Sequence, residues 1–142
     1  MVDQMEPSIE DVIAVAEFRS ALRHFLRRSE KIARQSGLTP QRYTLLMMIK
    51  GAPDGAEQST VTELANRLQL AQSTVTELVR RAETAGLIER EQSQRDARVA
   101  HLRLTAEGER RLMLSFTALE AERSQLREAF ASLDGGLSAV GH

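Results

Sequence analysis

The chain has 142 residues, a formal net charge of −1 and a sequence pI near 6.3. The length suits a single domain with a sizeable core, and the near-neutral charge excludes a general polyanion binder such as a histone-like or RNA-coating protein. The absence of cysteine excludes disulfides, thiolate metal sites and thiol redox sensing. Because the sequence also lacks a long apolar run and a signal-peptide pattern, we expect a cytoplasmic protein with no membrane partner and no cofactor.

The first predicted element is a long helix over residues 8–36. Ser8 is a typical helix cap and Gly37 a typical helix stop. Apolar residues recur along it at helical spacing, and Phe18 and Ala21 widen this stripe beyond what one neighbouring helix would cover. The stripe consists of Ile9, Val12, Ile13, Ala16, Leu22, Phe25, Leu26, Ile32 and Ala33.

A second, shorter helix follows. Thr39 and Pro40 are typical of a cap and a first helical position, and Gly51 is predicted to end the helix. Residues 51–59 are rich in turn formers and are predicted to form a loop. The apolar residues of the second helix are Tyr43, Leu46, Met47 and Ile49.

The middle of the chain contains the pattern of a helix-turn-helix. Thr60 and Glu63 have the spacing of a capping box, and a three-residue joint, 69–71, separates two short apolar patterns. Helices joined so closely cross steeply and bury their apolar faces against each other. The first apolar face is Leu64, Ala65 and Leu68, and the second is Val75, Leu78, Val79 and Ala82.

A β-hairpin is predicted directly after the second of these helices, which Gly86 ends. Residues 87–91 resemble a short strand with two-residue alternation, and residues 99–105 are its natural partner. The stretch 92–98 between them is polar and carries two arginines. A helix-turn-helix followed by such a hairpin is a winged helix.

The last predicted element is a long helix from about Ala106 to Ser132, capped by Thr105. The tail 134–142 contains three glycines and is predicted not to hold a full helix. The helix's apolar positions include Leu112, Phe116, Leu119, Leu126 and Phe130.

The order and spacing of these motifs resemble the multiple-antibiotic-resistance regulator (MarR) family of bacterial transcription factors. The matching residues are ELANRLQLAQSTVTELVRRAETAGLIER, RDAR and LTAEG, and the resemblance covers roughly residues 8–133. It implies one domain, 1–142, that is mainly α with a small β-hairpin wing. In that domain, a winged helix-turn-helix core, 38–105, is flanked by dimerisation helices, 8–36 and 106–133. Three residues depart from the family pattern: Ala71 replaces a capping serine, Gln69 a glycine, and Glu77 a basic or amide residue.

Two terminal helices with surplus apolar surface predict self-association. In the family they interlock into a twofold dimer, so the resemblance implies the same partner here, a second copy. The alternative is that the two helices pack only on each other within one chain. The predicted interface residues are Ile9, Val12, Ile13, Phe116, Leu119, Leu126 and Phe130.

The second helix of the helix-turn-helix has a polar face that suits the major groove of double-stranded DNA. Gln72 can pair with adenine, and the hydroxyls of Ser73, Thr74 and Thr76 can bind bases or phosphates. Glu77 either accepts a hydrogen bond from cytosine or pairs with Arg80 or Arg81 one turn away, and the second interpretation is favoured. Arg80 and Arg81 are predicted to reach phosphates. The alternative is an ordinary solvated face.

The resemblance also assigns roles at the wing. It implies that Arg98 enters the minor groove and that Asp96 orients it through a salt bridge. A narrow minor groove concentrates negative potential, which favours an inserted guanidinium. Arg95 is predicted to contact phosphate. The alternative for Arg98 is an ordinary exposed hairpin arginine.

We therefore predict a sequence-specific DNA-binding transcriptional regulator, a repressor, located with the nucleoid in a bacterial cytoplasm. The alternative is a winged-helix protein-interaction module without DNA binding, which would not require the wing pair or the hydroxyl-rich helix. An enzyme is not expected, because the three histidines lack metal-ligand spacing and no catalytic motif occurs.

A small aromatic acid is a candidate effector. A crevice bounded by the first two helices and the base of the last is its predicted site. The alternative is that the same residues serve only packing and surface roles. The candidate lining residues are Arg19, Arg23, His24, Tyr43 and Met47.

Overall fold

The computed structural model describes the backbone of residues 6–140 and the side chains of residues 6–133. Within these residues the fold is mainly helical with one two-stranded hairpin, as predicted. The elements in chain order are α1 (Ile9–Gln35), α2 (Pro40–Lys50), α3 (Val61–Leu68), α4 (Gln72–Thr84), β1 (Ile88–Gln92), β2 (Ala100–Leu104), α5 (Ala106–Ala118) and α6 (Glu120–Val140).

The chain forms two compact units. The first contains α1 as far as Lys31 together with the chain from Ala118 onward. The second is continuous, Ile32–Thr117, and contains α2, α3, α4, the hairpin and nearly all of α5. The winged helix-turn-helix therefore lies entirely within the second unit.

The predicted starts of α1 and α2 are confirmed by their caps. The Ser8 hydroxyl accepts a hydrogen bond from the Asp11 amide at 3.1 Å, and the Thr39 hydroxyl accepts one from the Arg42 amide at 3.1 Å. Gly37 follows α1 with φ of +78°, a conformation that glycine adopts without strain. The sequence signals thus set both ends of the first connection.

The core of the second unit is built around α2. Leu45, Leu46 and Ile49 are fully buried, together with apolar residues from α3, α4, the hairpin and α5. Arg67 of α3 also binds this helix, because its guanidinium donates to the carbonyls of Met48 and Gly51 at 2.7 and 3.3 Å. Carbonyls at the C-terminal end of a helix lack intrahelical donors, and Arg67 donates to two of them at this end of α2.

The helix-turn-helix is formed by α3 and α4. Thr60 and Glu63 form the complete predicted capping box. Gln69 ends α3 with φ of 57°, so a glutamine accepts the left-handed conformation in which the family usually has glycine. Ala71 precedes α4 and provides no side-chain cap. The helix-turn-helix therefore forms in this chain despite both departures from the family pattern, at some local cost.

The wing is an antiparallel hairpin whose register pairs Ile88 with Leu104 and Gln92 with Ala100. The predicted two-residue alternation in the first strand is wrong: Ile88 is buried and the other β1 residues are exposed. The hairpin extends away from the core, so only its base has a buried face. At that base Ser59 forms an isolated bridge with Leu102, through reciprocal backbone hydrogen bonds of 3.1 and 2.8 Å.

Thr105 and Gly108 join the hairpin to α5. The Thr105 hydroxyl donates to the Gly86 carbonyl at 2.6 Å and accepts from the Gly108 amide at 3.1 Å. Gly108 lies so close to Leu87 that a Cβ at this position would collide with the Leu87 carbonyl oxygen. The first turn of α5 therefore packs directly on the backbone that leads into β1.

The prediction of one long C-terminal helix is wrong. The chain forms α5 and α6, which are separated at Leu119, and the Arg123 amide donates to the Leu119 carbonyl to begin the new helix. The apolar spacing continues through Leu112, Phe116 and Leu119, and neither glycine nor proline lies at the break. Pattern and composition consequently carried no sign of it.

The prediction for the tail also requires correction. Residues 134–140 are helical and continue α6 as far as Val140. Gly135 and Gly136 each disfavour a helix by roughly 1 kcal/mol. Extending an existing helix is much cheaper than nucleating one, so a long preceding helix can carry two glycines. Gly141 and His142 lie outside the described residues.

In the first unit, α1 and α6 contact each other through aromatic and charged side chains. The rings of Phe18 and Phe130 meet edge to face with centroids 6.0 Å apart, and Arg28 pairs with Glu122 at 3.2 Å. Part of the terminal apolar surface is therefore used within one chain.

Charge is distributed very unevenly along α1. Residues 19–34 contain six basic side chains and one acidic side chain, a net charge of +5. Because the whole chain carries −1, the other residues together carry −6.

Candidate nucleic-acid interface

The exposed face of α4 is polar in its first two turns. Gln72, Ser73, Thr74 and Thr76 are all exposed, whereas Val75, Val79 and Ala82 are buried in the core of the second unit. The apolar spacing of the sequence fixes this orientation. Hydroxyl and amide groups thus lie together at the N-terminal end of the helix, where backbone amides and the helix dipole also favour anions.

Gln72 is already hydrogen-bonded within the protein. Its Nε2 donates to the Thr62 hydroxyl on α3 at 3.2 Å. Bidentate pairing with adenine uses both the oxygen and the nitrogen of a carboxamide, so this weak bond would have to be exchanged on base contact.

Glu77 forms an ion pair with both arginines of α4. Arg80 donates from Nε and Nη2 to the two carboxylate oxygens at 3.0 and 2.6 Å, and Arg81 donates from Nε at 3.1 Å. The hydrogen bond from Arg80, assisted by Arg81, lowers the pKa of Glu77 to about 2. The carboxylate is therefore ionised throughout the physiological range, and the intrahelical pairing favoured by the sequence is confirmed.

The remaining acid of α4, Glu83, pairs with Arg90 of β1 at 2.9 Å. The helix thus contains two acidic and two basic residues, and all four take part in ion pairs. Its polar face offers hydrogen-bonding groups without net charge.

The tip of the wing presents Arg98 to solvent. Its side chain is 93% exposed, and its Nε lies 3.4 Å from Asp96 Oδ1, which also accepts from the Arg98 amide at 3.0 Å. The Ser93 hydroxyl accepts from the amides of Arg95 and Asp96 and holds the turn. The Asp96 contact implied by the family resemblance is present.

Two further interactions tie the second unit together, and sequence reasoning missed both. Arg111 donates to the Gly37 carbonyl at 3.1 Å, and the hydroxyls of Ser115 and Ser36 are 2.9 Å apart. They join α5 to the C-terminal end of α1. Long-range contacts of this kind leave no local pattern in a sequence.

Comparisons with known proteins address this fold directly. Residues 36–99 match a model of the MarR family. A solved MarR family transcription regulator is 25% identical with a TM-score of 0.68, covering 92% of this chain and 82% of its own. Residues 36–99, which contain most of the winged helix-turn-helix, are therefore similar to the MarR family. A comparison with curated proteins finds no match.

Two other solved MarR-family proteins share the fold of this chain and were determined with DNA. A mutant of S. aureus MepR bound to an oligodeoxyribonucleotide is 22% identical, with a TM-score of 0.64 and coverage of 87% of this chain and 94% of its own. A mutant of E. coli MarR complexed with operator DNA is 18% identical, with a TM-score of 0.67 and coverage of 95% and 99%.

The predicted interface residues differ in exposure. Ile9, Val12 and Ile13 are 65%, 54% and 54% exposed. Phe116 and Phe130 also retain exposed surface, and Leu126 is half-buried. Leu119 is fully buried within one chain and has no surface to offer a partner.

The predicted effector residues lie in different parts of the molecule. Arg23 and His24 line a shallow groove on α1, and Arg19 lines another groove on the same helix. Tyr43 is buried in α2 and Met47 is half-buried there. The effector site accordingly stays a prediction.

Within residues 6–133, no cluster of three or more His, Cys, Asp or Glu side chains is arranged to hold a metal ion. None of the helices in the described part of the chain is long and apolar enough to cross a membrane.

Proposed function

We propose that this protein is a transcriptional regulator that binds double-stranded DNA as a homodimer. In the proposed complex α4 lies in the major groove and the wing lies along the minor groove. The observation that carries the proposal is the presence, in one compact unit, of a hydroxyl- and amide-rich helix face and an exposed wing arginine held by Asp96. A protein-interaction module would need neither feature.

The base contacts come from the first two turns of α4. Its axial length is about 20 Å at ~1.5 Å per residue, and its diameter fits the major groove. Gln72 is suited to adenine, and Thr74 and Thr76 offer both a hydroxyl and a methyl group, the latter complementary to the thymine methyl. Arg95 and Arg98 contribute phosphate and minor-groove contacts from the wing.

A homodimer presents two copies of α4 and of the wing to DNA. A twofold dimer binds a pseudo-palindrome whose half-sites lie about one helical turn, ~10 bp, apart. The exposed apolar side chains at the start of α1 support a second copy as the partner. Bound across a promoter, such a dimer acts as a repressor by excluding RNA polymerase.

The experiment that tests the proposal is selection of bound duplexes from random and genomic DNA, followed by anisotropy titration of the selected sequence. We expect enrichment of an inverted repeat and binding by two chains per duplex. Equal, weak binding to all duplexes, or none, would contradict sequence-specific regulation and favour the interaction module.

A small aromatic acid is the proposed effector class, with Arg23 and His24, which line one groove of α1, as its candidate anion contacts. Titration of the DNA complex with a panel of such acids tests this. Release of the operator by one acid, abolished in Arg23→Ala, is the expected result.

A further inference from the structure

Both arginines of α4 are paired with Glu77 before any ligand arrives. Arg80 directs two nitrogen donors at the carboxylate of Glu77, and Arg81 directs a third. The side chains of Glu77, Arg80 and Arg81 are 44%, 62% and 60% exposed. Their ion pairs therefore lie on the helix surface, where an external anion can compete for them.

A DNA phosphate would compete for the same donors. The planar fork of arginine matches a carboxylate and a phosphate in the same bidentate manner. The edge of a guanidinium that holds both oxygens of Glu77 cannot at the same time bind a DNA phosphate in the same bidentate geometry. The carboxylate also repels any phosphate that approaches within a Debye length, about 8 Å at physiological salt.

From this geometry we propose that Glu77 is an affinity-setting residue that competes internally with DNA phosphate for Arg80 and Arg81. It limits the number of phosphates that α4 neutralises and so weakens binding to duplexes of every sequence. The inference rests on the proposed DNA-binding function. It agrees with the intrahelical pairing favoured by the sequence, because the carboxylate already accepts three hydrogen bonds from two guanidinium groups.

The consequence appears in the salt dependence of binding. Each phosphate neutralised by a basic side chain adds about 0.9 to the slope of log K against log salt. Releasing one or both arginines should therefore steepen the slope by roughly 0.9 to 1.8. When the ion pairs of Glu77 with Arg80 and Arg81 are lost, DNA phosphate no longer competes with a carboxylate for these arginines. The affinity for DNA at low salt should therefore rise by roughly two- to thirty-fold.

The test variant is Glu77→Gln, which preserves shape and removes the charge. The chain contains a matched control, because Glu107 on α5 pairs with Arg110 and Arg111 at the same three- and four-residue spacing. Glu107→Gln changes the net charge identically but lies outside α4. Anisotropy with a random-sequence duplex and with the selected operator, at several salt concentrations, compares the variants with the native chain.

We expect Glu77→Gln to bind both duplexes more tightly with a steeper slope and an unchanged order of base preferences, while Glu107→Gln leaves the slope unchanged. Adding Arg80→Gln and Arg81→Gln to Glu77→Gln should return the slope to the native value or below. Native-like binding by Glu77→Gln, or a changed preference at one base pair without a change in slope, overturns the inference. Failure of the native chain to bind any duplex refutes the proposed function instead.

Discussion

Arg98 and Gln72 would contribute different kinds of information to a DNA complex. The minor groove reports little beyond A·T against G·C, so a wing arginine contributes affinity that depends weakly on sequence. Arg98→Ala should therefore weaken binding to many duplexes by a similar factor and flatten the salt dependence. Affinities for a panel of single-base operator variants at several salt concentrations test this. A reordering of preferences within the half-sites would contradict it.

For Gln72 we expect the opposite result, a change in base preference without a change in salt dependence. Its amide is suited to one base edge, and a lost base contact costs roughly 1 to 3 kcal/mol at one position of the site. Gln72→Ala should consequently relax the preference at that position and leave the salt slope nearly intact. The same panel of duplexes measures it, with Gln94→Ala in the wing as a control for loss of an exposed amide. A uniform loss of affinity for all duplexes would argue against α4 as the reading helix.

For single residues, the sequence predicted the interactions whose two partners are close along the chain. The caps at Ser8, Thr39 and Thr60 and the pairing of Glu77 all follow from spacings of three or four residues. Arg67 was not predicted to bind the end of α2, because its acceptors lie 16 and 19 residues away. Which arginines serve the scaffold and which remain for DNA was therefore visible only in the fold.

Among the elements, α4 lacks a side chain that caps its first turn. Ala71 has φ of −63° and ψ of 147°, the extended conformation that a capping residue adopts. Ala71→Ser should place a hydroxyl near the amides of the first turn and raise the free energy of unfolding by about 1 kcal/mol. Denaturant unfolding measures the change. Ala85→Ser, at the other end of α4, adds the same hydroxyl without free amides, and equal stabilisation by both would show that capping is not the cause.

The junction between hairpin and α5 depends on Gly108. Alanine is normally better than glycine in a helix by about 1 kcal/mol, yet a Cβ at Gly108 would meet the Leu87 carbonyl oxygen. Gly108→Ala should therefore destabilise the protein by roughly 1 to 3 kcal/mol, the usual cost of overpacking. Thermal unfolding checks the sign. Gly86→Ala is the comparison. Gly86 has φ of +76° with open space around it, so an added Cβ there causes backbone strain but no collision.

Elements were predictable where their ends carry chemical signals. The starts of α1, α2 and α3 carry Ser or Thr caps, and Gly37 and Gly86 mark two ends. The division at Leu119 has no such signal, and the helical tail runs against its glycine content because elongation is cheap once a helix exists. The bridge of Ser59 to Leu102 could not be foreseen, since a single residue gives no strand pattern.

For the whole molecule, self-association is the property most open to test. Val12 and Ile13 are about half exposed on α1, so replacing both with glutamate leaves the core of one chain intact and places charge on the proposed interface. We expect a monomer by sedimentation velocity, with at least a hundred-fold loss of operator affinity estimated from the loss of one half-site. Deletion of residues 1–20 should act in the same way.

The control for assembly adds the same charge elsewhere. Gln41 and Thr44 are exposed on α2, and changing both to glutamate should leave the native molar mass unchanged. A dimer that persists in the Val12→Glu, Ile13→Glu variant would exclude the start of α1 from the interface.

The uneven charge along α1 has a consequence for the behaviour of concentrated solutions. A net charge of −1 provides almost no mutual repulsion, while the +5 of residues 19–34 can attract the acidic remainder of a neighbouring molecule. Such patch-to-patch attraction is screened as the Debye length falls from about 30 Å at 0.01 M salt to about 10 Å at 0.1 M. Near its isoelectric point the protein should therefore salt in, which means that its solubility rises as moderate salt is added. The same salt should weaken the proposed binding to DNA.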